Sequence, residues 1–406
     1  MELPYGSGRI SWDVPAGVRV VSTAPPPPAR AWESACREAL EQPIASPRLE
    51  ELVGPSSTVA VMVNDNTRWA NTRAFLPFIL DTLERAGVPD HQVSIIFATG
   101  AHRALGEEEQ AGLLGEAIAA RYRVVNHDCR DTESLVQVGT TRRGTPVWIN
   151  RLAAGASLRV LTGSIVPHFF AGFGGGRKAM VPGVAGLETI TANHRLMLEP
   201  GAGTCALEGN PVHTDLEEAA SLCGPSFLFN VVLDGHNLLG AFAGDLVHAH
   251  RAGCRFAGSL CHSDLEGPAD VVVASAGGLP YDLNLYQAQK ALDNAARALR
   301  PGGTLVLLAE CREGWGSATF QEWMHRYPGL PGIQAALQDR FVLGGHKAYA
   351  VRKVLEQFRV YLVSSMPATE LLAAGITSLE SPGQVATGGL TYIMPNASQT
   401  VPCLKA

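Results

Sequence analysis

The residues best suited to chemistry stand between His168 and His194. The segment from His168 to Lys178 reads His-Phe-Phe-Ala-Gly-Phe-Gly-Gly-Gly-Arg-Lys. Consecutive glycines allow positive φ angles and let the backbone approach a bound group closely. A lysine beside such a loop can bind a phosphate or, when desolvated, act as a nucleophile that holds a cofactor covalently. The spacing matches neither the P-loop nor the GxGxxG pattern, so a flexible glycine linker is the alternative.

Two shorter clusters follow predicted strands earlier in the chain. Asp65, Thr67 and Arg68 come directly after one apolar run, and His102 follows the next. The carboxyl ends of parallel strands bind ligands, and there a threonine can hold a phosphate while an arginine clamps a carboxylate. Histidine exchanges a proton near neutral pH. The alternatives are an N-cap turn with a surface arginine, and a structural histidine in a turn.

Three further positions give weaker signals. His194 lies near the end of a predicted helix and is either a metal ligand or a histidine satisfied by its surroundings. The sequence shows no HxH or HExxH partner, so a metal bound here needs ligands from elsewhere. Gln287 and Lys290 share one helix face at i, i+3 spacing, which by itself is typical of a solvated surface.

Length and composition restrict the class of protein. The 406 residues exceed one ordinary core, so two domains are expected, and the net charge of -6 gives no reason to expect nucleic acid. The eight cysteines lack a CxxC pair, which argues against a disulfide framework and a cysteine zinc site. With no signal-peptide pattern and no apolar run of roughly 18 residues, a cytoplasmic protein is expected.

Alternating strand and helix patterns predict an α/β fold with two domains, each a largely parallel sheet flanked by helices. The active site is expected in the cleft between the domains. The first domain is predicted at 1–260 and the second at 268–384. The second domain is expected to close over the substrate. The tail at about 385–406 is expected to pack back on the first domain.

Four local patterns make this fold prediction more specific. Residues 269–309 read as strand, helix, Pro-Gly-Gly and strand, which predicts a βαβ unit. Asp234-Gly235 predicts the turn of a β-hairpin. Later strands are predicted at 340–344 and 359–363, with a helix between them.

In their order along the chain, these motifs resemble the nickel-dependent lactate racemase family, and the resemblance covers most of the sequence. Its most specific part is the stretch from His168 to Lys178. The other matching motifs are Leu3-Pro4-Tyr5-Gly6, Asp65-x-Thr67-Arg68, Gly100-Ala101-His102-Arg103, Pro182-Gly183, Glu188-Thr189-Ile190, Asn193-His194, Gly209-Asn210-Pro211, and Gln287 with Lys290.

The resemblance implies a nickel-pincer nucleotide as cofactor, a pyridinium-3-thioamide-5-thiocarboxylic acid mononucleotide that binds nickel through one carbon and two sulfurs. It implies a covalent thioamide link on Lys178 and a single protein ligand to nickel, His194. His102 and His168 are implied as the two acid/base residues. Enzymes that synthesise the cofactor are implied as maturation partners. The remaining cofactor contacts are expected from Asp65, Thr67, Gly174, Gly175, Gly176, Arg177 and Tyr349.

The implied reaction inverts C2 of a 2-hydroxy acid by reversible hydride transfer to the cofactor. Arg68, Lys290 and Gln287 are implied as ligands of this small-molecule substrate. The family commonly has Pro and Thr after the Thr-Arg pair, whereas here Trp69-Ala-Asn-Thr-Arg73 follows. Trp69 and Arg73 either reshape the pocket for a longer or more polar acid or point away from it. Lactate is therefore possible, and a larger or more polar 2-hydroxy acid is at least as well supported.

Two other functional classes stay open. A nicotinamide-dependent 2-hydroxy acid dehydrogenase would use the βαβ unit of the second domain, but the sequence from Ala274 to Leu279 is a poor dinucleotide fingerprint. A non-catalytic protein that binds carboxylates or phosphates would use the same arginine, lysine and glycine loop. Such a protein has no need of two additional histidines.

Overall fold

The computed structural model describes residues 1–404, which alternate strands with helices along most of their length. The strands are β1 (Glu2–Tyr5), β2 (Gly8–Ser11), β3 (Arg19–Val20), β4 (Val59–Val63), β5 (Val93–Phe97), β6 (Arg123–Asn126), β7 (Leu135–Thr140), β8 (Pro146–Asn150), β9 (Leu158–Ser164), β10 (Pro167–His168), β11 (Ala171–Phe173), β12 (Gly203–Thr204), β13 (Ser226–Asp234), β14 (Asn237–Gly244), β15 (His262–Leu265), β16 (Ala269–Ser275), β17 (Leu299–Leu308), β18 (Arg359–Val363), β19 (Thr377–Leu379), β20 (Thr391–Met394) and β21 (Val401–Leu404).

The helices follow the same order along the chain. They are α1 (Trp32–Glu41), α2 (Thr72–Arg85), α3 (Glu107–Leu114), α4 (Glu116–Arg121), α5 (Arg151–Gly155), α6 (Leu187–Arg195), α7 (Pro211–Ser221), α8 (Leu246–Cys261), α9 (Leu285–Ala296), α10 (Ala318–Arg326), α11 (Leu330–Asp339), α12 (Gly345–Gln357) and α13 (Ala368–Ala373). Among residues 1–404, none of these helices combines the length and the apolar character needed to span a bilayer.

Residues Pro26–Ser259 form one compact unit around a six-stranded sheet. The strand order is β14-β13-β9-β4-β5-β6, and every neighbouring pair is parallel except the antiparallel hairpin of β13 and β14. β4, β5 and β9 are almost entirely buried, and β4 and β5 are largely apolar, as expected for parallel strands covered on both faces. The predicted hairpin is confirmed, and Gly235 in its turn has a φ of 58°.

The second unit joins Met1–Pro25 with the chain from Leu260 onward. Its six-stranded sheet has the order β19-β18-β17-β16-β20-β3, and all neighbouring strands are parallel. The predicted βαβ unit is confirmed as β16, α9 and β17. Both units therefore have the predicted α/β architecture of a largely parallel sheet with helices.

The composition of the two units differs from the expected domains at both ends of the sequence. Strand β3 lies at the edge of the second sheet, where Arg19 pairs with Tyr392 and Val20 with Ile393 of β20. Residues 1–25 thus belong to the second unit, and so does the described part of the tail, which was expected on the first domain. The two residues of β3 are both exposed, so no hydrophobic periodicity marks them as a strand.

One predicted strand is absent from the described residues. Residues 340–344 are irregular, because this short apolar run ends at a glycine with a φ of 93° that leads directly into α12. The strand predicted at 359–363 is present as β18, and α12 occupies the helical segment predicted before it.

Candidate active site

Three neighbouring parallel strands of the first unit, β4, β5 and β9, end at the same edge of its sheet. Val63 at the end of β4 pairs with Phe97 at the end of β5, and Met62 pairs with Leu161 of β9. The loops that leave these strands therefore start side by side. They carry the predicted clusters around Asp65, His102 and His168, so the sheet topology itself brings the clusters to one ligand-binding edge.

His102 is held by the buried carboxylate of Asp65. Nδ1 of His102 lies 2.6 Å from Oδ2 of Asp65, which is 3% exposed. Thr67 donates its hydroxyl and its backbone N–H to the other oxygen, Oδ1, at 2.7 and 3.0 Å. Burial acts to raise the pKa of Asp65, but the hydrogen bonds from His102 and Thr67 outweigh it and lower that pKa. A carboxylate at Nδ1 keeps the ring proton there, so Nε2 is the nitrogen left to exchange a proton with a ligand.

His168 is oriented in a different way. It lies in β10, which pairs with β11 in an antiparallel manner. Its ring stacks on Phe169 with centroids 5.4 Å apart and meets Phe170 edge-on at 4.5 Å. The backbone N–H of Ala171 donates to Nδ1 of His168 at 3.3 Å. Two phenyl rings and one backbone N–H thus orient His168, whereas a carboxylate orients His102.

Phe170 connects three of the predicted site residues. Besides its contact with His168, its ring lies 5.8 Å from Nζ of Lys178 and 5.1 Å from the ring of His194, measured to ring centroids. The ring is buried, at 4% exposure. Sequence reasoning did not select Phe170, although it stands inside the most specific motif. Its position shows that His168, Lys178 and His194 share one apolar wall.

Lys178 and His194 are both shifted toward their neutral forms. Burial lowers the pKa of Lys178 well below its usual value, and the positive charges of Arg68 and Arg177 lower it further. Burial also lowers the pKa of His194 to about 3, with contributions from the charges of Lys178 and Arg68. A neutral imidazole is the form that binds a metal, and a neutral amine is the form that acts as a nucleophile. The charge of Arg68 thus acts on both residues.

Arg177, expected among the cofactor ligands, is turned into the protein. It is 1% exposed, and its guanidinium donates to the carbonyl oxygens of Ala171 at 2.7 Å and Phe173 at 3.0 Å. Burial lowers the pKa of Arg177 to about 10, which leaves it charged at neutral pH. Its donors satisfy the backbone that leads into the glycines, so its contact with a cofactor would have to be electrostatic.

Trp69 and Arg73 do not share a helix face. Helix α2 begins at Thr72, and Asn71 before it has a left-handed φ of 53°, so Trp69 lies in the preceding loop. The ring of Trp69 is 47% exposed and meets His236 edge-on at 5.2 Å. Arg73 is exposed and runs past Gly115, where α3 ends. Arg73 therefore lies beside the C-terminal end of α3.

Gln287, Lys290 and Tyr349 belong to the second unit. The side chain of Asn284 caps α9 by accepting the N–H of Gln287 at 3.1 Å. Gln287 and Lys290 are both exposed on this helix, as their spacing predicts. Tyr349 on α12 is 8% exposed, and burial raises its pKa. The two α9 residues are thus exposed, while Tyr349 is largely covered.

Sequence reasoning also missed Asn230 and His250, which contact the glycine-rich segment from β13 and α8. Asn230 accepts the N–H of Gly176 at 2.7 Å, and His250 lies 2.9 Å from the carbonyl oxygen of Gly174. Neither residue stands in a recognisable motif. The one sequence signal is that Asn230 interrupts an otherwise apolar run in β13.

Comparison with known proteins places these residues in a family context. The family model described as the lactate racemase N-terminal domain matches residues 5–205, and the lactate racemase C-terminal domain matches residues 265–377. A lactate racemase from Thermoanaerobacterium thermosaccharolyticum is 36% identical over 330 residues, which are 80% of this chain and 77% of that protein. A lactate racemase from Lactiplantibacillus plantarum is 35% identical over 327 residues, covering 79% and 77% of the two chains.

Solved structures agree with the sequence matches. The apoprotein of lactate racemase from T. thermosaccharolyticum superposes with a TM-score of 0.90 at 30% identity, covering 99% of both chains. A protein from Thermotoga maritima superposes with a TM-score of 0.67 at 18% identity, covering 92% of this chain and 98% of that one, which speaks to the fold alone.

Proposed function

Because the chain belongs to the lactate racemase family and is therefore an isomerase, we propose that it inverts the C2 centre of a 2-hydroxy acid. The observation that carries the proposal is the pair of independently oriented histidines in the first unit. His102 is supported by Asp65, and His168 by Ala171 and two phenyl rings. Inversion needs a proton acceptor on one side of the substrate and a proton donor on the other.

The residues around Phe170 fit a nickel-pincer nucleotide. His194 offers a buried imidazole held in its neutral form, which suits a nickel ion whose other ligands come from the cofactor. Lys178 offers an amine whose pKa is lowered, which suits a covalent link. Gly175 and Gly176 take positive φ angles of 70° and 57° in the turn that leads to Lys178, a course that glycine adopts without strain. When bound, this group supplies the acceptor for the hydride that leaves C2 of the substrate.

Asp65, Thr67, Arg177 and Tyr349 are proposed to support the cofactor in different ways. Thr67 is proposed to lie at the phosphate or Arg68 end of the pocket, although in this structure its hydroxyl donates to Asp65. Asp65 contributes through His102, and Arg177 through its positive charge. Tyr349 is retained as a residue facing the cofactor because of the family resemblance. The enzymes that synthesise the cofactor are the proposed maturation partners, and the cytoplasm is the proposed compartment.

The protein's own part in the reaction is proton transfer and orientation. Nε2 of His102 takes the proton of the substrate hydroxyl, and the carboxylate of Asp65 stabilises the imidazolium that results. The substrate passes through a planar 2-keto acid. His168 holds the proton that returns to the oxygen after the keto acid has been reduced on its other face. For the opposite enantiomer, the two histidines exchange these tasks, and His168 then carries its ring proton on Nδ1, which releases the hydrogen bond from the N–H of Ala171.

Arg68 is the proposed ligand of the substrate carboxylate. Its guanidinium reaches the Thr67 hydroxyl at 3.4 Å, and its charge acts on Lys178 and His194, so it lies beside the reacting groups. A planar guanidinium can bind a carboxylate through two parallel hydrogen bonds. Gln287 and Lys290 are proposed as further substrate ligands, because both are exposed on α9 and both match the family motif.

The substrate is proposed to be lactate or a larger, more polar 2-hydroxy acid. The relatives named lactate racemase favour lactate. Trp69 replaces the residue that the family commonly has next to the substrate arginine, and its exposure would let it contact a longer substrate side chain. Arg73 is a weaker candidate, because its side chain runs past Gly115. Rates with single enantiomers of lactate, malate and 2-hydroxyglutarate would rank the substrates.

The decisive test is co-production with the cofactor-synthesis enzymes, followed by intact-protein mass spectrometry, nickel analysis and a racemisation assay in D2O. We expect a covalent adduct on Lys178, about one nickel per adduct, and loss of optical activity. Because a transferred hydride does not exchange with solvent, C2 should retain its protium. Incorporation of solvent deuterium at C2 would instead indicate that a base abstracts the proton from C2, and it would refute hydride transfer.

The same experiment separates the other two functional classes. A rate that requires added nicotinamide nucleotide would identify a dehydrogenase. Binding of a 2-hydroxy acid by the loaded protein without any turnover would identify a binding protein. A matched control is His248→Ala in the loaded protein, because His248 is an exposed histidine near the start of α8 that is hydrogen-bonded to Asp245. His102→Ala should abolish inversion, whereas His248→Ala should retain it.

A further inference from the structure

The three glycines Gly174 to Gly176 follow a course that the residues around them restrict closely. Gly175 and Gly176 have φ angles of 70° and 57°, in the left-handed region that favours glycine. Gly176 then begins a short 3-10 turn, Gly176–Ala179, that carries Lys178. We call Gly174 to Gly176 the glycine loop. The residues that contact this loop therefore determine the direction of the Lys178 side chain.

Asn230 holds the loop from the side of β13. The side chain is fully buried, and its Oδ1 accepts the backbone N–H of Gly176 at 2.7 Å. Its Nδ2 donates to the carbonyl oxygen of Phe229 at 3.0 Å, which fixes the orientation of the amide group. A Cβ atom on Gly175 would lie 2.6 Å from Oδ1 of Asn230. Asn230 therefore supplies a hydrogen bond and also fills the space that a side chain would need.

His250 holds the loop from the side of α8. It is fully buried, and its Nε2 lies 2.9 Å from the carbonyl oxygen of Gly174 and 3.1 Å from Nη1 of Arg177. One nitrogen cannot donate to the carbonyl and accept from the guanidinium at once. We assign the bond to the carbonyl, because the two hydrogens of Nη1 of Arg177 already have the carbonyl oxygens of Phe173 at 3.0 Å and Gly175 at 3.4 Å as acceptors. A Cβ atom on Gly176 would lie 2.5 Å from the His250 ring.

We infer that Asn230 and His250 are positioning residues for Lys178. Asn230 accepts a hydrogen bond from a backbone N–H of the glycine loop, and His250 donates one to a backbone carbonyl of the loop. Both residues also fill the space that side chains on the loop would need. The backbone is left with one course, which ends in the turn that presents the Lys178 amine. Neither residue touches the reacting groups, so each acts through the loop. The inference rests on the proposed function, because it assigns the loop the task of presenting Lys178 for attachment.

The first test compares Asn230→Ala with Asn230→Asp in protein co-produced with the cofactor-synthesis enzymes. The alanine variant removes the acceptor of the Gly176 N–H, whereas the aspartate variant keeps an oxygen there. We expect the fraction of chains modified at Lys178 to fall about tenfold in the alanine variant, the lower end of effects seen for residues that support a ligand. The aspartate variant keeps this acceptor but sets its second oxygen against the carbonyl oxygen of Phe229, so it should recover only part of the loss. Intact mass gives the modified fraction.

The matched control is Asn126→Ala. Asn126 also lies on a strand of the same sheet and also bonds a loop, donating to the Leu105 carbonyl at 2.8 Å. It should leave modification at Lys178 unchanged. Amide hydrogen exchange of the apoprotein supplies a readout that does not need the cofactor. In Asn230→Ala, exchange should accelerate in the peptide around Gly176, while distant peptides keep their wild-type rates.

A second test covers the case in which Asn230→Ala does not fold. Gly176→Ala places a methyl group against His250, and His250→Ala removes the ring it would meet. In the double variant the two losses of Lys178 modification should be less than multiplicative, because one change makes room for the other. Multiplicative losses would overturn the inference, as would wild-type modification and exchange in Asn230→Ala. An unmodified wild-type protein would instead refute the proposed function, and the exchange data would still decide whether these residues order the loop.

Discussion

Replacement of Asp65 by asparagine should disable His102 without disturbing the fold. Thr67 donates its backbone N–H to Oδ1 of Asp65 at 3.0 Å, and a backbone N–H can only donate. The asparagine oxygen must therefore remain at that position, and its NH2 group must face Nδ1 of His102. Nδ1 then has to accept, which moves the ring proton to Nε2. Nε2 can no longer take the substrate proton.

The size of the effect follows from the contact that is lost. Wrong-tautomer substitutions in buried triads cost about 10⁴ in rate, and loss of an ordinary supporting carboxylate costs about 10–100-fold. The His102 side chain is 36% exposed, so water can replace part of the lost support. We therefore expect a fall in kcat of about a hundredfold, which corresponds to about 2.7 kcal/mol.

The assay is racemisation of each pure enantiomer, followed by chiral chromatography. Rates are divided by the fraction of protein carrying the Lys178 adduct, so that a loading defect does not count as a catalytic one. Asp81→Asn is the control, since Asp81 is an exposed carboxylate on α2 and should keep the wild-type rate. A kcat for Asp65→Asn within twofold of wild type would refute the assigned role of the Asp65–His102 pair.

Three further predictions follow from the site. His194→Ala should lose nickel while keeping the Lys178 adduct, which metal analysis and intact mass would show; retention of nickel would contradict its role as a ligand. Arg68→Ala should lower kcat/KM by about 10–100-fold through loss of charged hydrogen bonds, whereas Arg73→Ala should stay within about twofold; equal effects in steady-state assays would argue against the placement of the two arginines. The folded protein lowers the pKa of Asp65, so its stabilising effect is present above the usual Asp pKa of about 3.9 and is lost as the pH falls through the folded value. The difference in melting temperature between wild type and Asp65→Asn should accordingly shrink below about pH 4, and a constant difference would contradict the lowered pKa.

The sequence predicts those parts of the site that depend on local pattern. Apolar β4 ends two residues before Asp65 and β5 five residues before His102, so parallel pairing brings the loops that carry the two residues to one edge. The inward course of Arg177 could not be predicted, because its acceptors are backbone carbonyls whose directions are set by the folded loop. Asn230 and His250 act across long sequence separations, which leave no spacing to recognise.

Local backbone conformation explains why Trp69 and Arg73 do not lie on one face of α2. Trp69 and Arg73 stand four residues apart, which on a continuous helix would place them on one face. The left-handed conformation of Asn71 interrupts that register before the helix begins. An asparagine tolerates such a conformation better than most residues, but the sequence does not indicate when it adopts it.

The pairing of β3 with β20 has a consequence for synthesis on the ribosome. The unit that carries His102, His168, Lys178 and His194 is one continuous segment, so all of it leaves the ribosome before β20 has been translated. Domains generally fold as units while the chain is still emerging. Residues 1–25 are made first and yet must wait for strands more than 350 residues later, so the catalytic unit completes its fold while the segment ahead of it is still unpaired. Attachment of a group to Lys178 could thus precede completion of the second sheet.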